Sequence, residues 1–162
     1  MFIEGTRIRI TEGEIREAAA ALAGAGDVKV RDIHLAENGL AVELELKSPV
    51  ALSPRLHLEP LQPEGAHFGL RVSGQLGLGP VTADMAIAMM SARFPPGVSY
   101  VGASTIDVDL ELVTNGLLYD VDVESVEVAP GEVRISLRQL SVSTPRLIAA
   151  LADVHDVPGG FH

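Results

Sequence analysis

Apolar residues at Leu40, Val42, Leu44 and Leu46 alternate with Ala41, Glu43, Glu45 and Lys47, the two-residue period of a strand with one buried face. Most of the chain is written in this period. A type I′ turn at Asn38-Gly39 predicts a hairpin with Leu35 opposite Val42 and Ile33 opposite Leu44 on the apolar side, and His34 facing Glu43 on the polar side. Apolar parity changes between Val30 and Ile33, which predicts a bulge or strand start near Arg31. A second Asn-Gly pair lies in DVDLELVTNGLLYDVDVE, residues 107–124, among six carboxylates. A turn at Asn115-Gly116 would set Leu112, Leu110 and Val108 opposite Tyr119, Val121 and Val123. It would also stack Glu111 on Asp120, Asp109 on Asp122 and Asp107 on Glu124, each like-charge pair unfavourable by about 0.2–1 kcal/mol. The following strand, after a turn at Pro130-Gly131, supplies the relief: Glu127 faces Arg134, and a bulge near Glu124-Ser125 brings Asp122 beside Arg138.

Three segments leave the strand period. In ITEGEIREAAAALAGAG, Thr11 and Glu14 have capping-box spacing, so a helix runs through the alanines and ends at Gly24 or Gly26. A second helix, apolar nearly all round, is predicted from near Thr82 to before Pro95. A third begins at Thr144-Pro145 and runs to about Val154, followed by a frayed tail. A helix, strand, Asn-Gly-Leu turn and strand thus occur twice, at NGLAVELEL and NGLLYDVDV. The predicted class is α+β: a strongly curved antiparallel sheet backed by two or three helices, in one domain over 1–157 with a flexible tail at 158–162. The proline-rich stretch between the halves, with short strands around Leu56 and Leu70, reads as edge and connector.

A chain of 162 residues without cysteine is long enough to bury a core without disulfides. Its net charge of −10 disfavours nucleic acid, and a membrane contact would need apolar burial or a bridging cation. Peripheral membrane contact is not indicated. Glu4, Arg7 and Arg9 interrupt any early apolar run, so no secretory signal is written, and the most apolar stretch is too short to span a bilayer. A complete chain would be cytoplasmic; otherwise the compartment is open. With four Phe and two Tyr, aliphatic side chains must fill the core.

No dinucleotide fingerprint, phosphate loop, nucleophile elbow or H-E-x-x-H occurs. His57 and Glu59 share a strand face, and Asp153, His155 and Asp156 lie near the last helix end, neither with metal spacing. The acidic hairpin face could attract Ca2+, but its carboxylates alternate along flat strands where a calcium loop would curl. No metal, cofactor or catalytic residue is assigned. The apolar second helix, with Met85, Met89 and Met90, combines adaptable thioethers with a place against a curved sheet, where elongated clefts form. Burying about 12 methylenes there would contribute on the order of 10 kcal/mol before ordering costs.

The stretches IRITEGEIREAAAAL and GLRVSGQLGLGPVTADMAIAMMSARFPPGVSYVGASTIDVDLEL, read in order, resemble the bacterial TULIP-like lipid-binding proteins, including the LmeA-like phospholipid-binding group. The resemblance spans roughly residues 3–142. It implies a curved sheet around a long helix, a lipid held in the groove, and no catalysis. Relatives usually carry an N-terminal signal or anchor, and none is written here. The leading expectation is therefore a non-enzymatic module for a lipid or another elongated hydrophobic ligand. Ile15, Leu22, Met85, Ile87, Met89, Met90 and Phe94 would line or border the groove, with Leu44, Leu110 and Val121 as floor. The alternative is a structural or assembly module, a homodimer or higher homo-oligomer using the same surfaces without a small ligand.

Overall fold

The computed structural model describes residues 1–22, 28–47, 51, 53–75 and 83–155. Strand β1 (Phe2–Thr11) runs into helix α1 (Glu12–Leu22), followed by β2 (Val28–Ala36), β3 (Gly39–Leu46), β4 (Arg55–Pro60) and β5 (His67–Gln75). Helix α2 (Ala83–Met90) continues through a 3-10 turn, Ser91–Arg93, into β6 (Val98–Gly102) and β7 (Thr105–Asp109). A four-residue helix α3 (Leu110–Val113), long strands β8 (Leu118–Ala129) and β9 (Glu132–Val142), and helix α4 (Thr144–His155) complete the chain. The class is α+β with antiparallel pairing throughout the named strands.

The strands form two sheets where a single one was expected: three strands in the order β1-β9-β8 and six in the order β2-β3-β4-β5-β7-β6. The acidic hairpin is accordingly absent. Strand β7 is flanked on both sides by β5 and β6, so it has no free edge for β8, which pairs with β9. The chain crosses between sheets through α3, whose geometry is set locally. Asp109 Oδ1 accepts hydrogen bonds from the backbone N–H groups of Glu111 (2.9 Å) and Leu112 (3.3 Å), an N-cap. Thr114 Oγ1 donates to the Leu110 carbonyl and accepts from the Leu118 N–H, while Asn115 and Gly116 adopt left-handed φ of 53° and 70°. Glu111 Oε1 accepts from the Val121 N–H at 3.0 Å instead of standing opposite Asp120. The second helix-hairpin echo thus has no structural counterpart.

The first hairpin forms, shifted by two residues. Ala36 pairs with Gly39, Leu35 with Leu40 and Ile33 with Val42, so Glu37 and Asn38 make the turn, with Asn38 at φ 67°. The apolar side is unchanged because the shift is even. His34 faces Ala41, and Glu43 faces Asp32. Gly39 serves close approach: a Cβ there would run into the His57 ring on β4. The bulge at Arg31 is present, between Val30 and Asp32. Strands β4 and β5 are interior members of the six-stranded sheet, not edges.

Other local expectations hold. Glu14 Oε2 accepts from the Thr11 N–H at 2.7 Å while Thr11 Oγ1 accepts from the Glu14 N–H at 3.3 Å, the reciprocal bonds of a capping box. Glu12 adds a tertiary bond, accepting from the Leu35 N–H at 3.0 Å; this bond first, then the Arg16 guanidinium, keeps its carboxyl below the ordinary 4.5. The Gly24 and Gly26 helix stop, Thr82, and the tail from 156 on lie outside the described residues. Glu127 pairs with Arg134 across the β8–β9 ladder, and Arg138 Nη1 lies 3.1 Å from Asp122 Oδ1.

All three strands of the smaller sheet are interrupted at one level. Gly5 has φ 64° and Asp120 φ 51°, and on β8 the pairing passes from Asp122–Gln139 to Val123–Leu137, skipping Arg138. Side-chain parity flips there, which is why Leu137 and Leu140 are both buried. The sheets meet along β8: Val123 N–H donates to the Gly65 carbonyl at 2.8 Å and Asn38 N–H to the Val128 carbonyl at 3.3 Å. Between them Phe68, Leu110, Val121, Val123, Ile135, Leu137, Leu140 and Val142 form one core. Leu44, Leu56, Val72, Ile87 and Ile106 form a second, under α2, and Leu70 packs against both.

Candidate functional site

Helix α2 is held onto the six-stranded sheet at its first turn. Asp84 Oδ1 accepts from the Tyr100 hydroxyl (2.7 Å) and the Ser104 N–H (2.6 Å), tying the helix to the turn between β6 and β7. These bonds, the tyrosine's foremost, hold the Asp84 carboxyl below its ordinary 3.8 and push the Tyr100 phenol above 10. Behind this anchor, Ile87 is 0% exposed and sits among Leu44, Leu56, Val72 and Ile106, with Met90 and Phe94 half-buried beside it. Met85 is 53% exposed and belongs to the solvent side. The helix lies against β5 and β6. On the β2–β4 half of the same face, Val30, Val42 and Leu58 are only partly buried.

The ten residues expected to line a groove are therefore divided. Leu44, Ile87, Met90 and Phe94 come together under α2. Leu110 and Val121 are buried, as expected for an apolar sheet side, but in the other core, with Leu137 and Val123. Ile15 is half-buried on α1, which packs on β2 and β1. The side chains of Leu22 and Met89 lie outside the described residues. For Leu44, Ile87, Leu110 and Val121 the apolar pattern reports burial, not which of two cores receives the side chain.

Among the described residues, clefts also lie elsewhere. One of about 510 Å³ opens between the sheets, lined by the Glu37-Asn38 turn, Glu59 and Pro60 at the end of β4, and residues 126–130. Another of about 190 Å³ lies between α1 and β2, lined in part by Arg16, Ala19, Val30 and Asp32. Neither was legible in the sequence, because their walls come from segments far apart along the chain. On the polar face of the larger sheet, His67 Nδ1 lies 2.8 Å from Asp107 Oδ2 and its Nε2 3.6 Å from Asp109 Oδ2. The Asp107 hydrogen bond, outweighing partial burial, raises the imidazole above 6.5, with Asp109 and Glu111 acting in the same direction. That geometry favours the protonated imidazole. His57 and Glu59 are both exposed on β4, with the His57 ring over Gly39. Among the described residues no group of three or more His, Asp or Glu is placed to hold a metal ion, and no helix is long and apolar enough to cross a membrane.

No family model, curated protein or solved structure matches the chain.

Proposed function

We propose that the protein is a non-enzymatic binding module that holds an elongated apolar molecule, such as a lipid acyl chain, against the six-stranded sheet beside α2. The observation that supports this reading is the mismatch between the sheet and its helix. Six strands spaced about 4.8 Å apart make an apolar face about 24 Å across, whereas an eight-residue helix is about 12 Å long and about 10 Å wide. Over β5 and β6 the helix seals Ile87 completely. Toward β2–β4, Val30, Val42 and Leu58 stay partly exposed. An acyl chain laid along them would complete the burial.

The test is native mass spectrometry of the purified chain, followed by organic extraction and titration with a fluorescent fatty acid. A stoichiometric co-purified lipid, or saturable fluorescence reduced at least tenfold by Val42→Asp, is the expected result. A chain that carries no added mass and gives no saturable fluorescence refutes the reading.

A further inference from the structure

Strand β8 has an outer edge that is bonded at two points and open between them. Val123 N–H donates to the Gly65 carbonyl at 2.8 Å, and the Val128 carbonyl accepts from the Asn38 N–H at 3.3 Å. The direction of the intervening groups follows from the hairpin. A two-residue turn at Pro130-Gly131 makes Ala129–Glu132 the first hydrogen-bonded pair, so Val128–Val133 and Val126–Ile135 are non-bonded pairs whose N–H and C=O groups point away from β9. The Asn38 bond to Val128 has that same outward direction. Val126 is half-buried and thus presents a backbone donor and an acceptor to the cleft of about 510 Å³ that it lines. Among the described residues, no hydrogen bond reaches either group from that side.

The walls of this cleft carry one sign of charge. Glu37 comes from the turn between β2 and β3, Glu59 from the end of β4 and Glu127 from β8, with no Lys or Arg among the lining residues. Arg134, directly across from Glu127, is bound to Glu132 instead. No ion pair between described residues involves any of the three glutamates. Val126 and Val128 supply apolar lining, and their side chains leave β8 on the opposite face from Glu127.

We propose that the cleft receives a short extended peptide of alternating basic and apolar residues, added beside β8 as a fourth strand of the smaller sheet. The open edge is about 15 Å long, the span of about four extended residues. An added strand satisfies the Val126 donor and acceptor together, which a protonated polyamine, having donors only, does not. Cross-strand neighbours set the side-chain pattern, with basic residues beside Glu127 on one face and apolar ones beside Val126 and Val128 on the other. Glu37 and Glu59 complement the basic residues from the facing wall. A second copy of the chain is the poorer occupant, because two bodies of net charge −10 repel each other.

Fluorescence anisotropy of an end-blocked, labelled lysine-valine-lysine-valine-lysine peptide, titrated with the full chain to about 1 mM, tests this independently of lipid binding. Saturable binding is expected, weakened about tenfold or more when Glu37→Gln, Glu59→Gln and Glu127→Gln are combined, and weakened as salt rises from about 0.05 to 0.5 M. All three glutamates are exposed, so the combined variant keeps the fold, with a Tm close to wild type. Charge alone would produce these losses, so two further probes isolate the strand edge. The same peptide N-methylated at alternate amides, made in both registers, is expected to lose about tenfold or more in one register. Spermidine, of equal charge, is expected to displace the labelled peptide only at much higher concentration. No saturable binding, a Gln variant that binds like wild type, two N-methylated peptides that bind like the parent, or spermidine that competes at equal concentration overturns the proposal.

Discussion

The two cores are built from the same kind of side chain, yet they are closed by different means. Between the sheets, Leu137 and Val123 are each 1% exposed, because strands from one side and Phe68 with α3 from the other interdigitate over them. Under α2, Ile87 is sealed as fully, and each core keeps half-buried aliphatic neighbours, Ile3, Ile8 and Ile10 beside the first and Val30, Val42 and Leu58 beside the second. Sheet-on-sheet packing covers a core with interdigitating side chains from both inner faces; a short helix covers it only beneath itself. The difference lies in what covers each core: a second sheet over one, a single short helix over the other.

Truncation separates them most sharply. Leu137→Ala is expected to lower unfolding free energy by about 3–5 kcal/mol, because surrounding strands on both sides cannot collapse into the cavity. Ile87→Ala should lose less, about 2–3 kcal/mol, since a short helix can settle toward the sheet. Urea denaturation of both variants checks the order, and an equal or larger loss at Ile87 would break the contrast. Asp109→Ala removes the cap at the crossover that joins the cores, with an expected loss of about 1 kcal/mol. If Asp109 couples the two regions, that variant should also unfold in two steps, seen as separate transitions by circular dichroism and Tyr fluorescence.

The smallest effect concerns the polar face of the larger sheet. His67 is raised above 6.5 by Asp107, with Asp109 and Glu111 reinforcing it, so its charged form is favoured by folding. The stabilisation is fully present below about pH 6.5 and is lost as pH rises through the raised folded value. For so exposed a pair it amounts to under about 1 kcal/mol. The difference in Tm between wild type and His67→Gln should therefore shrink from about pH 6 to about pH 8.5; a difference that stays constant or grows would show that the carboxylates do not hold the proton.

What was legible beforehand is local. The capping box at Thr11 and Glu14, the Pro130-Gly131 turn, the bulge at Arg31, the start of α4 at Thr144 and the Arg138–Asp122 contact each depend on residues close in sequence or directly across one hairpin. Their partners were within reach of a spacing argument. The Asn115-Gly116 segment shows the opposite case: its alternation fits a hairpin on paper, and Asp109 suits a strand or a cap equally well.

Sequence by itself determined that this chain has apolar and charged sides, where α1 and α4 begin, and that antiparallel strands dominate. Tertiary structure alone decided that there are two sheets, because β6 and β5 already occupy both edges of β7 and a strand has only two. The same competition for edges sent Leu110 and Val121 to one core and Leu44 and Ile87 to another. Periodicity marks a side chain for burial; which partner buries it depends on segments that no local window contains.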